Sequence, residues 1–374
     1  MCPMFRPALI LPLLIAACSG GDEETANASA AASPAPPQAN PVQAQTSPPA
    51  AIADSHTPAK PSELRTFGDW AVGCDNGLSC TMASLAPEDP GFADMTVTIA
   101  RAPGADGAIA IDVSVQDRDD ADLELAVDDG KAVKAAKGSV GGADARRLAV
   151  EMVDGTSLTA RDASGKAIAS IALKGAAAAF RYVDDKQGRA GGTTAIAARG
   201  SAPAGSVPSA PALPVIVSPK PGGTPVTLSK TELAALRKRA ECDLEGMGLV
   251  QDPEISALGG GKSLIVLPCS SGAYNLIAAL FVSDGKTIEP ARMDTDSGMG
   301  PVDEQGGIPD VVNGGFEDGI LSSYAKGRGI GDCGITQSFV WDGSRFRLIE
   351  QAEMGECRGN PEFITTWRAR VVRR

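Results

Sequence analysis

From residue 64 onward the chain alternates apolar and polar positions in short runs, the period of half-buried strands. "FGDWAVGC" (67–74) alternates, "CTMASL" (80–85) answers it, and Asn76-Gly77 between them is a strong hairpin signal. "MTVTIAR", "AIAIDVSVQ" and "LELAV" follow. Asp129-Gly130 marks a turn into "KAVKAAK", and Ser164-Gly165 a turn between "SLTARDA" and "KAIASIAL". About eight short strands separated by turns predict a sandwich or barrel. The period then changes. In "GAAAAFRYVDDKQG", Ala176, Ala179, Phe180 and Val183 share one helical face, and Gly188 suits the stop. "TTAIAA" (193–198) reads as a closing strand.

Residues 201–227 are Pro, Ser, Gly and Ala and read as a linker. A second helix then starts with clear signals. Ser229 and Glu232 form a capping box, and Leu228 can staple onto Leu233. Leu233, Leu236 and Ala240 make its apolar stripe, which ends near Cys242. Strand patterns follow to the C-terminus. Asp284-Gly285, Asp318-Gly319 and Asp342-Gly343 each precede a new strand, because Asp-Gly supplies the positive φ of a tight turn. Their spacing is irregular, so this is an antiparallel meander and not a repeat array.

The first residues read as a processing signal. Arg6 gives a charged start, and Ala8 to Ala17 is apolar but too short to span a bilayer as a helix. Ile15-Ala16-Ala17-Cys18 resembles the lipobox of bacterial lipoproteins. That resemblance implies removal of residues 1–17, lipid on Cys18, and a chain facing the periplasm. By the same analogy Ser19 points to the outer membrane. Residues 18–63, rich in Ala and Pro, have too few large apolar side chains to offset their ordering entropy and read as a disordered tether. Its mean reach is roughly 40 Å. An exported chain can keep disulfides. With Cys2 removed and Cys18 lipidated, six cysteines remain, and order along the chain favours Cys74–Cys80, Cys242–Cys269 and Cys333–Cys357. The expected architecture is therefore mainly β: two disulfide-stapled antiparallel domains, each with one short helix. The first, 64–200, is sandwich-like. The second, 228–374, is an α+β meander.

Charge and composition then remove several chemistries. The formal net charge of −12 lacks the basic footprint of a nucleic-acid binder. Arg368, Arg370, Arg373 and Arg374 read as a solvated strand face and tail. The one histidine, His56, falls in the tether, so a Ser-His-Asp or Cys-His site has no general base. "GGGKS" (259–263) lacks the earlier glycine of a phosphate loop and precedes a strand pattern instead of a helix. Asp294, Asp296, Asp303 and Glu304 fail the EF-hand spacing at Met299 and Gln305 and read as an acidic surface loop, with an irregular calcium site left open. Asp69 and Asp75 flank Trp70 and Cys74, but Asp75 suits the turn and Trp70 the core, which weakens a glycosidase reading. Arg189 after "DDKQG" reads as structural, with a surface-binding or interdomain role as the alternative. No catalytic set, metal set or cofactor motif emerges.

"GRGIGDCG" (327–334) stands out. Its glycines free the backbone to form an amide nest, and Arg328 adds a fixed charge, so it could receive a carboxylate or phosphate. The other reading is a tight, disulfide-anchored turn. Arg328, Asp332, Tyr274 and Asn275 are the candidate binding residues.

"FGDWAVGCDNGLSC", "SIALKGAAAAFRYVDDKQGRAG", "CSSGAYN", "GRGIGDCG" with "WDG", and the closing "TTWRARV" occur in order from Leu64 to Val372. Together they resemble the bacterial envelope family catalogued as domain of unknown function 1176. The first domain also partly resembles the invasion-associated locus B family, through "FGDW…C" and "LKGAAAAF". The resemblance implies an exported protein with no assigned activity. The expectation is a non-enzymatic envelope lipoprotein that binds an envelope protein or glycan, inhibitor-like in one version. The alternative is an envelope enzyme acting on glycan or peptide with carboxylate or Lys chemistry.

Overall fold

In the computed structural model, residues 58–87, 93–118, 121–246, 248, 251–297 and 307–374 are described. The expected signal peptide, Cys18, His56 and most of the tether lie outside the described residues.

The first half runs β1 (Arg65–Phe67), β2 (Trp70–Cys74), β3 (Cys80–Ser84), β4 (Met95–Arg101), β5 (Ile109–Val115), β6 (Leu123–Val127), β7 (Val133–Ala135), β8 (Ser139–Gly141), α1 (Gly142–Asp154), β9 (Ser157–Arg161), β10 (Ala167–Ala172) and α2 (Ala176–Lys186). An antiparallel sheet has the order β1-β2-β3-β4-β5-β8, and a second has β10-β9-β6-β7. Along β4 and β5 every second side chain is buried, so each strand gives the core one apolar face. Those faces share a single core with Leu125 and Leu158 of the second sheet, Leu148 and Met152 of α1, and Phe180 and Val183 of α2.

This half holds two helices where one was expected. Ala145, Leu148, Ala149 and Met152 of α1 are buried at helical spacing, but Gly141 offers no side-chain cap, so the usual start signal is missing. The expected strand at 193–198 is a turn. Asp184, fully buried at the end of α2, accepts hydrogen bonds from the amides of Ile196, Ala197 and Ala198 at 2.8–3.0 Å. Those amides are therefore unavailable to a ladder.

Two of the glycine-bearing signposts touch. A Cβ on Gly175 would stand 1.8 Å from the Phe67 carbonyl oxygen, and one on Gly68 would stand 2.6 Å from that of Lys174. Both glycines also have positive φ, so the β1–β2 turn and the start of α2 close only with glycine on each side.

The second half runs β11 (Val215–Ser218), α3 (Lys230–Arg239), β12 (Glu254–Gly259), β13 (Lys262–Ser271), β14 (Leu276–Ser283), β15 (Ile288–Pro290), β16 (Asp310–Val312), β17 (Phe316–Glu317), β18 (Ile320–Lys326), β19 (Gly334–Trp341), β20 (Phe346–Met354), β21 (Ile364–Arg368) and β22 (Arg370–Arg373). One antiparallel sheet is β12-β13-β14-β15, with β16 also on β14, and another is β17-β18-β19-β20-β21. The linker at 201–227 contains β11, which pairs in parallel with β22 from Val215↔Arg370 to Ser218↔Arg373. Its run of β-branched residues explains this pairing. The capping box at Ser229 and Glu232 forms as expected.

All three expected disulfides are present. Asp318-Gly319 makes a two-residue turn with both φ positive. Asp284 and Asp342 act differently, each accepting from two amides of a longer loop. The first hairpin also departs from expectation. Its loop is 75–79, with Leu78 at φ 62°, and the Asp75 carboxylate accepts from the amides of Gly77 and Ser79 at 2.8 and 2.9 Å.

Asn76 is thereby freed for another task. Its side chain donates to the Arg368 carbonyl at 2.9 Å and accepts from the Arg368 amide at 2.8 Å. Asp75 pairs with the Arg368 guanidinium at 2.5 Å. Arg358 donates to Asp69 at 2.6 Å, to the Ala86 carbonyl at 2.6 Å and to the Gly68 carbonyl at 3.3 Å. A small core of Ala71, Ala83 and Leu85 with Cys333, Met354 and Ile364 also joins the halves. The described residues belong to one compact unit.

Candidate functional site

The loop at 327–334 links β18 to β19. The Gly327 amide donates to the Cys333 carbonyl at 2.9 Å, and the Cys333–Cys357 bridge ties the loop to the segment after β20. The closure requires small residues. A Cβ on Gly327 would lie 2.7 Å from Cys333 Sγ, and one on Gly334 would lie 2.1 Å from the Ala325 carbonyl oxygen.

The four candidate residues converge here. Tyr274 Oη donates to the Gly327 carbonyl at 2.9 Å. The Asn275 side chain donates to the Lys326 carbonyl at 3.0 Å and accepts from the Lys326 amide at 3.1 Å. Asn313, at φ 44°, donates to Asn275 Oδ1 at 2.8 Å. Arg328 Nε donates to Asp332 Oδ1 at 2.6 Å, and its Nη2 donates to the other carboxylate oxygen. Asp332 also accepts from the Gly359 amide at 2.7 Å. Arg328 and then the Gly359 amide hold the Asp332 carboxyl below its ordinary range, although burial opposes this. Tyr324 Oη donates to the Gly331 carbonyl at 2.6 Å, and burial, then the Asp332 charge, pushes its phenol up.

This arrangement engages two of the groups that an anion nest would offer. The Arg328 guanidinium is committed to Asp332, and the Gly331 amide donates to the Arg328 carbonyl at 3.0 Å. These polar groups hold the loop itself. Beside Arg328, whose side chain is 42% exposed, the loop presents apolar groups to solvent. Ile330 is 54% exposed and Tyr274 41%, and only Ile320 joins them as an exposed large hydrophobic among the described residues. Tyr274 Cδ1 lies 3.6 Å from the Cβ position of Gly329, next to Ile330. A cystine-pinned, hydrogen-bonded loop with an aliphatic tip beside an aromatic ring is suited to a protein surface, since little ordering entropy is lost on binding. Ile330 and Asn313 were not among the predicted residues. An isoleucine between glycines was the signal for the first.

A second concavity, about 660 Å³, lies between residues 61–64 and the strands β19 and β20. Glu63, Asp296, Gln337, Gln351 and Glu353 are on its lining. Burial, then the Glu63 charge, pushes the Glu353 carboxyl up. Gln337 Nε2 donates to Gln351 Oε1 at 3.0 Å and to the Asp296 carbonyl at 2.8 Å.

The remaining candidates have structural surroundings. Asp69 and Asp75 are paired with Arg358 and Arg368. Asp294 is buried with Arg347 at 2.8 Å and accepts from the Leu348 amide; Asp303 and Glu304 lie outside the described residues. Gly260 and Gly261 of "GGGKS" form the turn between β12 and β13. Arg189 is buried and donates to the carbonyls of Ala102 and Gly104 and to Gln187. Among the described residues no group of three or more His, Cys, Asp and Glu could hold a metal ion, and no helix is long and apolar enough to cross a membrane.

Comparison with known proteins places the chain. The family model described as Protein of unknown function (DUF1176) matches residues 64–370, and the chain belongs to that family. It is similar to Uncharacterized protein YpfG of Escherichia coli (strain K12), 29% identical over an alignment of 344 residues that covers 81% of this chain and 92% of that one. Among solved structures it is similar to invasion associated protein B from Bartonella henselae at 18% identity and a TM-score of 0.27, covering 34% of this chain and 99% of that one.

Proposed function

We propose that this family member is a non-catalytic lipoprotein of the bacterial cell envelope, anchored through Cys18 and facing the periplasm from the outer membrane. In this reading it binds an envelope protein through the 327–334 loop. The observation that carries the reading is the exposure of Ile330 at the loop tip and of Tyr274 beside the loop, with Tyr274 Oη bonded to the Gly327 carbonyl and Arg328 held by Asp332. Small apolar anchors on a rigid support are how protein interfaces concentrate their energy. The test is a photo-crosslinker placed at residue 330, with residue 320 as the control position, in the full-length protein in living cells. A single adduct from position 330, lost with Tyr274→Ser, supports the reading. Identical adducts from both positions, or none from 330, refute it.

The cleft at Glu353 favours a second reading, an enzyme using a carboxylate on glycan or peptide. A carboxyl pushed up by burial and a neighbouring charge is poised to act as a general acid. Turnover of peptidoglycan fragments by the full-length protein, abolished in Glu353→Gln, would replace the first reading with this one.

A further inference from the structure

A cluster of guanidinium groups at the end of α2 has no part in the loop or the cleft. Arg101 and Arg189 are 4% and 1% exposed. Arg146 reaches the same place from α1. Arg101 Nη2 donates to the Thr194 carbonyl at 2.6 Å, and Arg146 Nη1 donates to the same oxygen at 3.1 Å. Arg146 Nη2 donates to the Thr193 carbonyl at 3.1 Å. Arg189 spends its donors on Gln187 and on the carbonyls of Ala102, Gly104 and Ala105.

The charges do not balance. Asp184 is the one carboxylate paired with the cluster among the described residues, 3.6 Å from Arg101 Nη1, and its oxygens already accept three backbone amides. Three guanidiniums thus face one carboxylate in a chain whose net charge is −12. Burial, then the charge of Arg189, pulls the Arg101 guanidinium down only to about 10, with Arg146 acting in the same direction, so the group stays charged at neutral pH. Arg101 Nε, Arg101 Nη1 and Thr194 Oγ1 are sealed from solvent and have no hydrogen-bond partner. A buried surplus of positive charge with free donors is costly unless an anion answers it.

We propose that Arg101, Arg146 and Thr194 hold a small inorganic anion of halide size, which closes the charge balance around Asp184. The donors are the Nε–H of Arg101 and the Thr194 hydroxyl, with Arg146 as the second cation, while Arg101 Nη1 stays turned to Asp184. The sealed setting selects a halide over phosphate. Arg146 and Thr194, both only partly buried, provide the side from which the ion exchanges.

The test is thermal unfolding of the full-length, oxidised protein in sodium chloride and in sodium gluconate at equal ionic strength. The expected result is a saturable rise in Tm with chloride of about 2–5 °C. Arg146→Gln and Thr194→Val should each weaken the half-saturation about tenfold or more, and Arg146→Lys should restore most of it. Crystals soaked in bromide should give an anomalous peak beside Arg101 Nε and Thr194 Oγ1. Equal Tm in the two salts, a bromide peak elsewhere, or a larger shift with phosphate than with chloride would overturn the proposal. Thr194→Val keeps the test decisive if the arginine variant does not fold.

Discussion

Replacing Asp184 separates two things that this carboxylate does. It is fully buried. Oδ2 accepts the amides of Ile196, Ala197 and Ala198, while Oδ1 shares the first of these and faces Arg101 at 3.6 Å. In Asp184→Asn the amide oxygen can take the Oδ2 position and keep all three backbone donors. What is lost is the negative charge opposite Arg101, and Nδ2 then faces that guanidinium donor to donor, a change we expect to cost about 3 kcal/mol because a buried guanidinium loses its paired charge while keeping its carbonyl contact. Asp184→Ala removes the charge and strands three amides, that of Ile196 buried and those of Ala197 and Ala198 partly so, and should cost about 4–5 kcal/mol. For a folded unit of this size that corresponds to a fall in Tm of roughly 6–8 °C. Urea unfolding followed by far-UV circular dichroism gives both numbers at a constant m-value. Equal losses for the two variants would mean that charge alone matters at this position. A loss below about 1 kcal/mol for Asp184→Ala would refute the reasoning altogether.

Three further outcomes are expected. Asn76→Ala removes both hydrogen bonds to the Arg368 backbone and should cost about 1–3 kcal/mol in urea unfolding, whereas Asn76→Asp, which keeps only an acceptor, should fall between. Glu353→Gln should raise Tm at pH 7. The folded carboxyl is pushed above its unfolded value by burial and Glu63, so its ionisation opposes folding at neutral pH, and the gain should fade as pH falls through the ordinary carboxylate range. The double variant Cys333→Ser/Cys357→Ser opens a bridge of sequence separation 24 and should cost about 2–4 kcal/mol, with faster backbone hydrogen exchange in the 327–334 loop.

Features set by local chemistry were legible in the sequence. The capping box at Ser229 states its own geometry, and the period-two runs became strands with the expected faces. The cysteine order yielded the three bridges because each pair is near in sequence. What was not legible depends on distant partners. Asn76-Gly77 carries a turn signal, yet Asn76 is claimed by Arg368 and the turn is organised by Asp75 instead. Residues 193–198 have strand propensity, but a buried carboxylate takes their amides. A trace of this existed, since Asp184 lies four residues after Phe180 on the apolar side of α2, a place where an acid needs partners. At the loop, the residue types did not say which groups would pair. Arg328 and Asp332 stand four apart and find each other, and Ile330 is the loop's exposed large hydrophobic side chain.

The shared core between the halves also fixes an order of events during synthesis. Ala71, Ala83 and Leu85 lie near the start of the described chain, and the residues that cover them, Cys333, Met354 and Ile364, lie near its end. Contacts of such long sequence separation form slowly. A nascent chain that has emerged only through α2 has its own main core but carries an uncovered apolar face. That face waits for almost all of the remaining chain, until β20 and β21 bring Met354 and Ile364 to cover it.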